Sequence, residues 1–466
     1  MGAGFPVVLQ AVGLAAIVGL AVNGLGVGAD LRGDQLTILR KTNLTTLAVW
    51  GLWWPGMIAV AILFGRAWCT VCPMELVNRV GHAVSRKLGW QGARLGKLLR
   101  AGWVTVLLYL VLQLLVAGIA LHRVPHFTAI MLLGLVGLAL VVGVVFREHR
   151  SFCTAFCPAS ALLSVYGRYT PLQLEARRRS VCRDCATKDC VRDAHRDRFD
   201  RRSCPSLLVP YRRGPSDGCV LCLQCVKICP HDNMGIGLVS ARAPIRKGSL
   251  LRPFEAAFVT VALGFVAHEV IGEVKWLDAM FHSVPARLDE FLPSASFGWL
   301  EALWFLVLFP LGVWAAIAAV SYGVGQRTGV RSLLLAAATR AAPVVAAAHL
   351  AKAAAKMSSW GGFLPVALGD PRGLDTLAAI SQDALVPPAG LLDLPVVGGV
   401  MLGATMIIAV RGWRRLPDMV KGSAIAARAG LLGSSLLFAS VLVTWVEGDV
   451  MSPRDGVTFP TVATPA

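Results

Sequence analysis

Cys219-Val220-Leu221-Cys222-Leu223-Gln224-Cys225-Val226-Lys227-Ile228-Cys229-Pro230 is the stretch on which the rest of the chain can be read. Three thiolates two residues apart can wrap one cubane corner by corner. The fourth cysteine then reaches a neighbouring cluster, and the proline turns the chain out of the site. The spacing predicts 4Fe–4S ligation and, through it, electron transfer. Upstream, Cys182-x2-Cys185-x4-Cys190 and an isolated Cys204-Pro205 supply a second set. Exchange of one ligand between the two loops assigns Cys182, Cys185, Cys190 and Cys229 to a first 4Fe–4S cluster. Cys204, Cys219, Cys222 and Cys225 then hold a second. Zinc is the competing metal, since four cysteines at x2 spacing also suit it. The Cys-Pro pairs and the x2-x2-x3 rhythm favour iron–sulfur, while the x4 gap leaves the nuclearity of the first cluster open.

The surrounding chain is that of a membrane protein. Of its 466 residues 56% are hydrophobic and 15% charged, a balance that would leave a soluble globule with far too much exposed apolar surface. Runs of about 20 apolar residues, the length that crosses a bilayer, recur near 5–28, 43–64, 102–121, 127–146, 254–273, 298–322, 332–354, 391–411 and 425–446. The seventh is interrupted by Arg340, Pro343, His349 and Lys352. The first has no basic leader and too long an apolar run for a secretory signal, and reads as an anchor. The expected fold is mostly α: a polytopic helical membrane protein of about nine transmembrane helices with an inserted bacterial-type two-cluster 4Fe–4S ferredoxin domain. Its expected parts are an N-terminal transmembrane domain (1–149), the cysteine-bearing insert (150–252) and a C-terminal transmembrane domain (253–466).

Orientation follows from the positive residues. Arg66, Arg79, Arg86, Lys87, Arg94, Lys97 and Arg100 follow the second span; Arg327 and Arg331 follow the sixth; Arg411, Arg414, Arg415 and Lys421 follow the eighth. An inside N-terminus puts all of these on one side, and with them the insert, which then faces the cytoplasm of a bacterial inner membrane. Arg40 and Lys41, at the outer start of the second span, break the pattern. The insert carries 19 Lys and Arg against 8 Asp and Glu, concentrating +11 of the chain's +18. That charge suits anionic lipid or an acidic redox partner; no motif for nucleic acid accompanies it. All twelve cysteines fall at or beyond the reducing cytoplasmic surface, where metal ligation or redox work is the default role for a thiol.

Four cysteines remain, in two similar phrases: Gly65-Arg66-Ala67-Trp68-Cys69-x2-Cys72-Pro73 and Ser151-Phe152-Cys153-x3-Cys157-Pro158. Each follows a span that runs from outside to inside, so both emerge at the same depth. Together Cys69, Cys72, Cys153 and Cys157 make a candidate third metal or redox site: a further iron–sulfur cluster, a copper ion or a dithiol pair. Alternatively they are small residues where a proline stops each helix.

These paired Cys-Pro phrases before a two-cluster insert resemble the NapH/NosR-type membrane polyferredoxin family over roughly residues 40–240. Phe64-Gly65-Arg66-Ala67-Trp68-Cys69 is similar to the family's signature, and Phe156-Cys157-Pro158-Ala159-Ser160 repeats its second half. The resemblance implies an electron-transfer subunit of a respiratory complex, an oxidoreductase component rather than a stand-alone enzyme, relaying electrons between the quinone pool and a redox partner protein. The related CcoG-type core implies the alternative, a copper or metal reductase or an assembly factor for a respiratory oxidase or reductase. This chain departs from the family in lacking an N-terminal flavin-binding domain, in the x2 of its first phrase, and in five extra spans after the insert. A third role, a scaffold whose clusters only stabilise the fold, involves no electron flow.

Residues 253–466 contain no cysteine but place ionisable groups at membrane depth, where they are costly. His268, Glu269, Glu301, His349 and Lys352 all fall in the outer halves of their spans, with His122 and His126 at an outer turn. His268, Glu269, Glu301 and His349 are candidates for a quinone site, which needs a proton acceptor beside an apolar cleft. His268 and His349 are alternatively candidate ligands of haem b, or these groups simply pair with one another. Trp53, Trp54, Trp276, Trp299 and Trp360 are expected as interfacial anchors, and Gly13, Gly19, Gly24 and Gly26 as helix-packing contacts. The segments 357–390 and 448–466 are expected to be outer, polar and without a fold of their own.

Overall fold

The computed structural model describes residues 5–195, 198, 201–206, 208–212, 218–238, 250–292, 296–414 and 424–448. The first helices are α1 (Phe5–Gly24), α2 (Asp34–Thr42), α3 (Leu44–Phe64), α4 (Pro73–Lys87), α5 (Trp103–Gly118), α6 (Pro125–Val145) and the short α7 (Ser160–Tyr166). An antiparallel pair, β1 (Leu172–Ala176) and β2 (Met234–Leu238), brackets the insert, with Leu172 opposite Leu238. Then come α8 (Pro253–Ile271), α9 (Lys275–Phe291), α10 (Phe297–Gly323), α11 (Val330–Gly361), α12 (Leu364–Gly369), α13 (Leu374–Ser381), α14 (Leu394–Arg414) and α15 (Ala424–Glu447).

Eight of these, α1, α3, α6, α8, α10, α11, α14 and α15, are long and apolar enough to cross a membrane. The remaining expected span is α5, whose 16 residues rise only about 24 Å, less than a hydrocarbon core of about 30 Å. The chain is a polytopic helical membrane protein. Proline opens α4, α6 and α8, where its missing N–H costs nothing. Asn43 separates α2 from α3: its side chain accepts from Thr45 N at 2.9 Å and Thr46 N at 3.4 Å. Arg40 and Lys41 therefore belong to a short separate helix rather than to the second span.

The start of α1, the ends of α3 and α6 and the start of α8 gather at one end, with the cysteines. There Gln10 donates to the Thr70 carbonyl (2.9 Å) and Arg168 to Glu255 (3.2 Å). At the far end Gly26 N donates to His126 Nδ1 (3.0 Å) and Trp445 Nε1 to the Val270 carbonyl (3.2 Å). The axis of the bundle is α11. Its Arg340, Pro343, His349 and Lys352 do not break it, and Ala336–Ala342 is buried throughout. On α4 and α6 the backbones touch: a side chain at Gly143 would put its Cβ 2.3 Å from the Asn78 carbonyl oxygen.

Several expectations need correction. Trp54 and Trp360 are buried in the protein rather than anchored at an interface, Trp360 lying against Gly51; Trp276 and Trp299 are exposed. Of the four early glycines, Gly24 alone makes a close approach, to the Pro125 carbonyl; Gly19 and Gly26 face open space, and Gly13 only grazes Pro73 at ordinary contact distance. The segment 357–390 does fold. It completes α11 and forms α12 and α13, whose Ala367, Leu377 and Ile380 pack with Leu36 and Leu39 of α2 as a far-end cap. Of 448–466, all but Gly448 lies outside the described residues.

Overpacking a tight contact costs about 1–3 kcal/mol, so Gly143→Val is expected to lower the thermal unfolding midpoint of the purified protein. Gly134→Val on the same helix, with nothing within 4 Å, should leave it unchanged. Equal midpoints in a fluorimetric melt would mean that α4 and α6 separate freely.

Candidate redox centres and a far-end cleft

Cys69 lies on a short turn, Trp68–Val71, after Gly65 has reversed the chain at a φ of 60°. Arg66 fixes this turn to the second phrase by donating to the Ser160 carbonyl (2.8 Å) and hydroxyl (2.6 Å). Cys153 sits in the π-helical turn Phe152–Phe156, and Cys157 N closes it on the Phe152 carbonyl at 2.8 Å. The two phrases thus converge, and the four thiols influence one another. Burial lifts the Cys72 thiol well above its usual range, reinforced by Cys153, Cys69 and Cys157. Burial also carries Cys157 up to about 12, with Cys153 and Cys69 adding to it. Cys153 reaches about 11 through burial, opposed by the Arg150 guanidinium that hydrogen-bonds it. An all-sulfur set of four such groups fits an iron–sulfur cluster or another thiophilic metal.

In the insert, Cys182, Cys185, Cys190 and Cys229 line one cavity of about 30 Å³, walled by Pro210, Tyr211 and Pro230. Burial raises the Cys190 thiol to about 12, followed by Cys182, Cys229, Cys185 and Cys204. Backbone N–H groups point at sulfur here: Lys188 N to Cys185 Sγ and Asn233 N to Cys229 Sγ, both 3.4 Å. Such bonds set the potential of a bound cluster. In the second loop Leu221 and Leu223, either side of Cys222, hold φ at 51° and 59°, a strained left-handed winding of the kind found at functional sites. Burial raises Cys222 to about 11, with Gln224 N opposing and Cys204 and Cys219 adding. Cys225 is buried against Leu174 and Met234, joining the loop to β1 and β2.

The boundary thiols and the insert are in contact. Thr70 Oγ1, one residue from Cys69, donates to the Val220 carbonyl at 2.6 Å. Arg150, which bonds Cys153, also donates to Ser206 Oγ at 2.5 Å and acts electrostatically on Cys222. Cys69 and Cys222 line the same cavity of about 60 Å³, with Glu75, His82, His149 and Arg150. No sequence signal pointed to Arg150 or Thr70, because their partners lie 56 and 150 residues away.

At the far end opens a cleft of about 1670 Å³. Four of the expected membrane-depth residues, His268, Glu269, Glu301 and Lys352, line it, as do Arg40, Lys41 and His122. The anomalous positive charge thus lines this cleft: Arg40 lies over the Trp360 ring (5.3 Å) and Lys41 over Phe363 (5.7 Å). Lys352 Nζ pairs with Glu273 (2.5 Å) and Glu269 (3.6 Å). His349 is one level deeper, in a recess of about 30 Å³ shared with Trp50, Trp54 and Glu269, its Nδ1 3.0 Å from the Tyr166 hydroxyl. His268 lines the cleft and His349 the recess, and the two cavities share Phe265, Glu269 and Lys352. His282 was overlooked in the sequence: its Nε2 is 2.8 Å from Glu301 and its Nδ1 3.0 Å from Asp278. The Asp278-x3-His282 spacing, one helical turn, was the signal. Asp278 and Glu301 raise the His282 imidazole to about 10. A run of rings joins the two ends: Trp68–Trp53 (5.9 Å), Trp53–Trp54 (6.2 Å), Trp54–Trp50 (6.2 Å) and Trp50–His122 (6.4 Å).

Lys352, Glu269 and Glu273 are partly exposed on the cleft, so their pairing contributes less than that of a fully buried ion pair. Lys352→Met, which leaves Glu269 and Glu273 without their shared partner, should still lower the unfolding midpoint, with Lys352→Arg restoring much of the loss. A wild-type melt for Lys352→Met would show that the cleft water solvates both carboxylates.

The Fer4_5 family, a 4Fe-4S binding domain, matches residues 46–91 and 128–174. The two stretches contain Cys69, Cys72, Cys153 and Cys157, while the insert cysteines from Cys182 onward lie outside them. The methylamine utilization ferredoxin-type protein MauN of Paracoccus denitrificans (strain Pd 1222) is 27% identical over 171 residues, covering 34% of this chain and 56% of MauN. The chain thus spans about half the length of the curated relative it matches. No solved structure matches. The chain is a multi-pass helical membrane protein, two stretches of which are similar to a 4Fe–4S binding domain.

Proposed function

We propose that this protein is a membrane-bound electron-transfer subunit that relays electrons between a quinone pool and a redox partner protein. The observation that carries this reading is the shared wall between Cys69 and Cys222, tied by the Thr70–Val220 bond. It makes the three thiol groups successive steps rather than separate sites. Cys182, Cys185, Cys190 and Cys229 would hold one 4Fe–4S cluster, Cys204, Cys219, Cys222 and Cys225 a second, and Cys69, Cys72, Cys153 and Cys157 a third. Each cluster, when bound, accepts and returns one electron. The protein's own part is to hold the thiolates, exclude water and set the potential with N–H···S bonds and the Arg150 charge. A 4Fe–4S group at the boundary cysteines is supported by the family match across both phrases.

The far-end cleft is the proposed quinone site. Its apolar walls, Phe265, Phe305 and Trp360, suit a quinone ring, and Glu269 and the recessed His349 can take the protons a quinol releases with its two electrons. His268 and Glu301 stand on the same cleft. The thiol groups and the cleft lie at opposite ends, about 20 Å apart along α8 between Glu255 and His268, and the tryptophan series fills the interval. On this reading the cysteine end faces the cytoplasm of a bacterial inner membrane, which the clustering of Arg79, Arg86, Arg94, Lys97 and Arg100 supports. Copper reduction or oxidase assembly by the boundary thiols is the second role, supported by a sulfur-only donor set that also suits Cu(I).

Anaerobic purification, iron and sulfide analysis, and EPR before and after addition of a reduced quinol analogue test the relay. About twelve irons per chain, with signals that grow on quinol addition, are expected. Zinc or copper in place of iron, or clusters silent to quinol, would falsify it. Arg150→Gln removes a positive charge beside two thiol groups and should lower a cluster midpoint by roughly 60 mV, a tenfold shift for one electron. An EPR-monitored redox titration reads it.

A further inference from the structure

We propose that His268, His282 and Glu301 form a binding site for a first-row divalent transition metal of the zinc class at the rim of the far-end cleft. The three residues come from α8, α9 and α10, and their donor atoms lie within 4.8 Å of one another. Glu301 Oε1 is 2.8 Å from His282 Nε2 and 3.7 Å from His268 Nε2. A tetrahedral ion with bonds of 2.0–2.1 Å separates its donors by about 3.3 Å, between these two values.

The hydrogen bonding orients the donor atoms toward one point. Asp278 receives the Nδ1–H of His282, with its carboxylate at 3.0 Å and its carbonyl at 2.9 Å. His282 Nε2 and His268 Nε2 both face the same Glu301 carboxylate oxygen, at 2.8 and 3.7 Å. A divalent cation at their meeting point would take the place of the His282 Nε2 proton and be held by both imidazoles and the carboxylate. An Asp–His–metal relay is the usual outer-shell arrangement of zinc sites. The rings are held by packing: His268 stacks on Phe305 (4.3 Å, 8° between planes), and Phe281 lies against both imidazoles. About a fifth of each of the three side chains is exposed, so an ion can enter from the cleft. Three protein ligands leave the fourth position open to water or an exchangeable ligand, as in catalytic rather than structural zinc sites.

The site is independent of what accepts or donates electrons, and its test reads metal content rather than activity. Full-length protein with its clusters intact is stripped with a mild chelator and dialysed against Zn²⁺, and zinc, iron and acid-labile sulfide are measured per chain. Wild type should take up one zinc more than His282→Ala. Glu301→Gln should weaken that zinc at least tenfold, and Asp278→Asn by about 10–100-fold. His126→Ala, a far-end histidine outside the group, should bind as wild type does. Iron and sulfide should stay constant throughout, so loss of clusters is scored separately from loss of zinc. Equal zinc in wild type, His282→Ala and Glu301→Gln would overturn the site. So would no zinc in wild type, leaving the triad as an imidazolium held between two carboxylates.

Discussion

Inside a bilayer no water is at hand to satisfy a polar group, so each one must find its partner within the protein. That constraint organises the bundle around α11. Its Lys352 neutralises Glu269 and Glu273 at the far end, and its His349 meets the Tyr166 hydroxyl. At the cysteine end Glu255, fully buried, gathers Arg168, Arg252 and Ser164. Two of these three networks hold the segment that follows Cys157-Pro158. The short helix α7 is buried along its whole length, pinned by Ser164 on one side and Tyr166 on the other. The depth of the boundary thiols is thus set by polar pairs in the bundle as much as by their own loop.

The two ends have different chemistry. At one end sulfur dominates, with N–H donors and the Arg150 guanidinium arranged about it. At the other, imidazoles, carboxylates and ammonium groups surround a cleft with aromatic walls. Thiolates suit iron, which handles electrons, whereas carboxylates and imidazoles handle protons or divalent cations. An electron-transfer protein that exchanges with a quinone needs both and must keep them apart, since cluster sulfur is best shielded from water.

Between them the tryptophan series is continuous, from Trp68 beside Cys69 to His122 on the cleft. Three of its members come from α3, where Leu47–Trp53 widens to a π-helix. Such π segments are rare and concentrate at functional sites. Here the widened turn presents Trp50, Trp53 and Trp54 as consecutive ring contacts.

Much of this was legible in the chain alone. Apolar runs long enough to span a bilayer announce the helices, because crossing length is a local property. Cys-x2-Cys-x2-Cys-x3-Cys-Pro announces the metal chemistry, because a cluster's ligand spacing is local too. What the sequence could not decide is which groups meet. Arg40 and Lys41 look like a violation of charge asymmetry until α2 folds them over Trp360 and Phe363, 320 or more residues away in the chain. Trp54 and Trp360 look like interfacial anchors until the bundle encloses them. His282 looks like one more loop histidine until α9 lays it against Glu301. Spacing along the chain determines span length and ligand rhythm; contacts between distant helices are decided only when the bundle closes, because their free energy depends on burial that no single segment possesses.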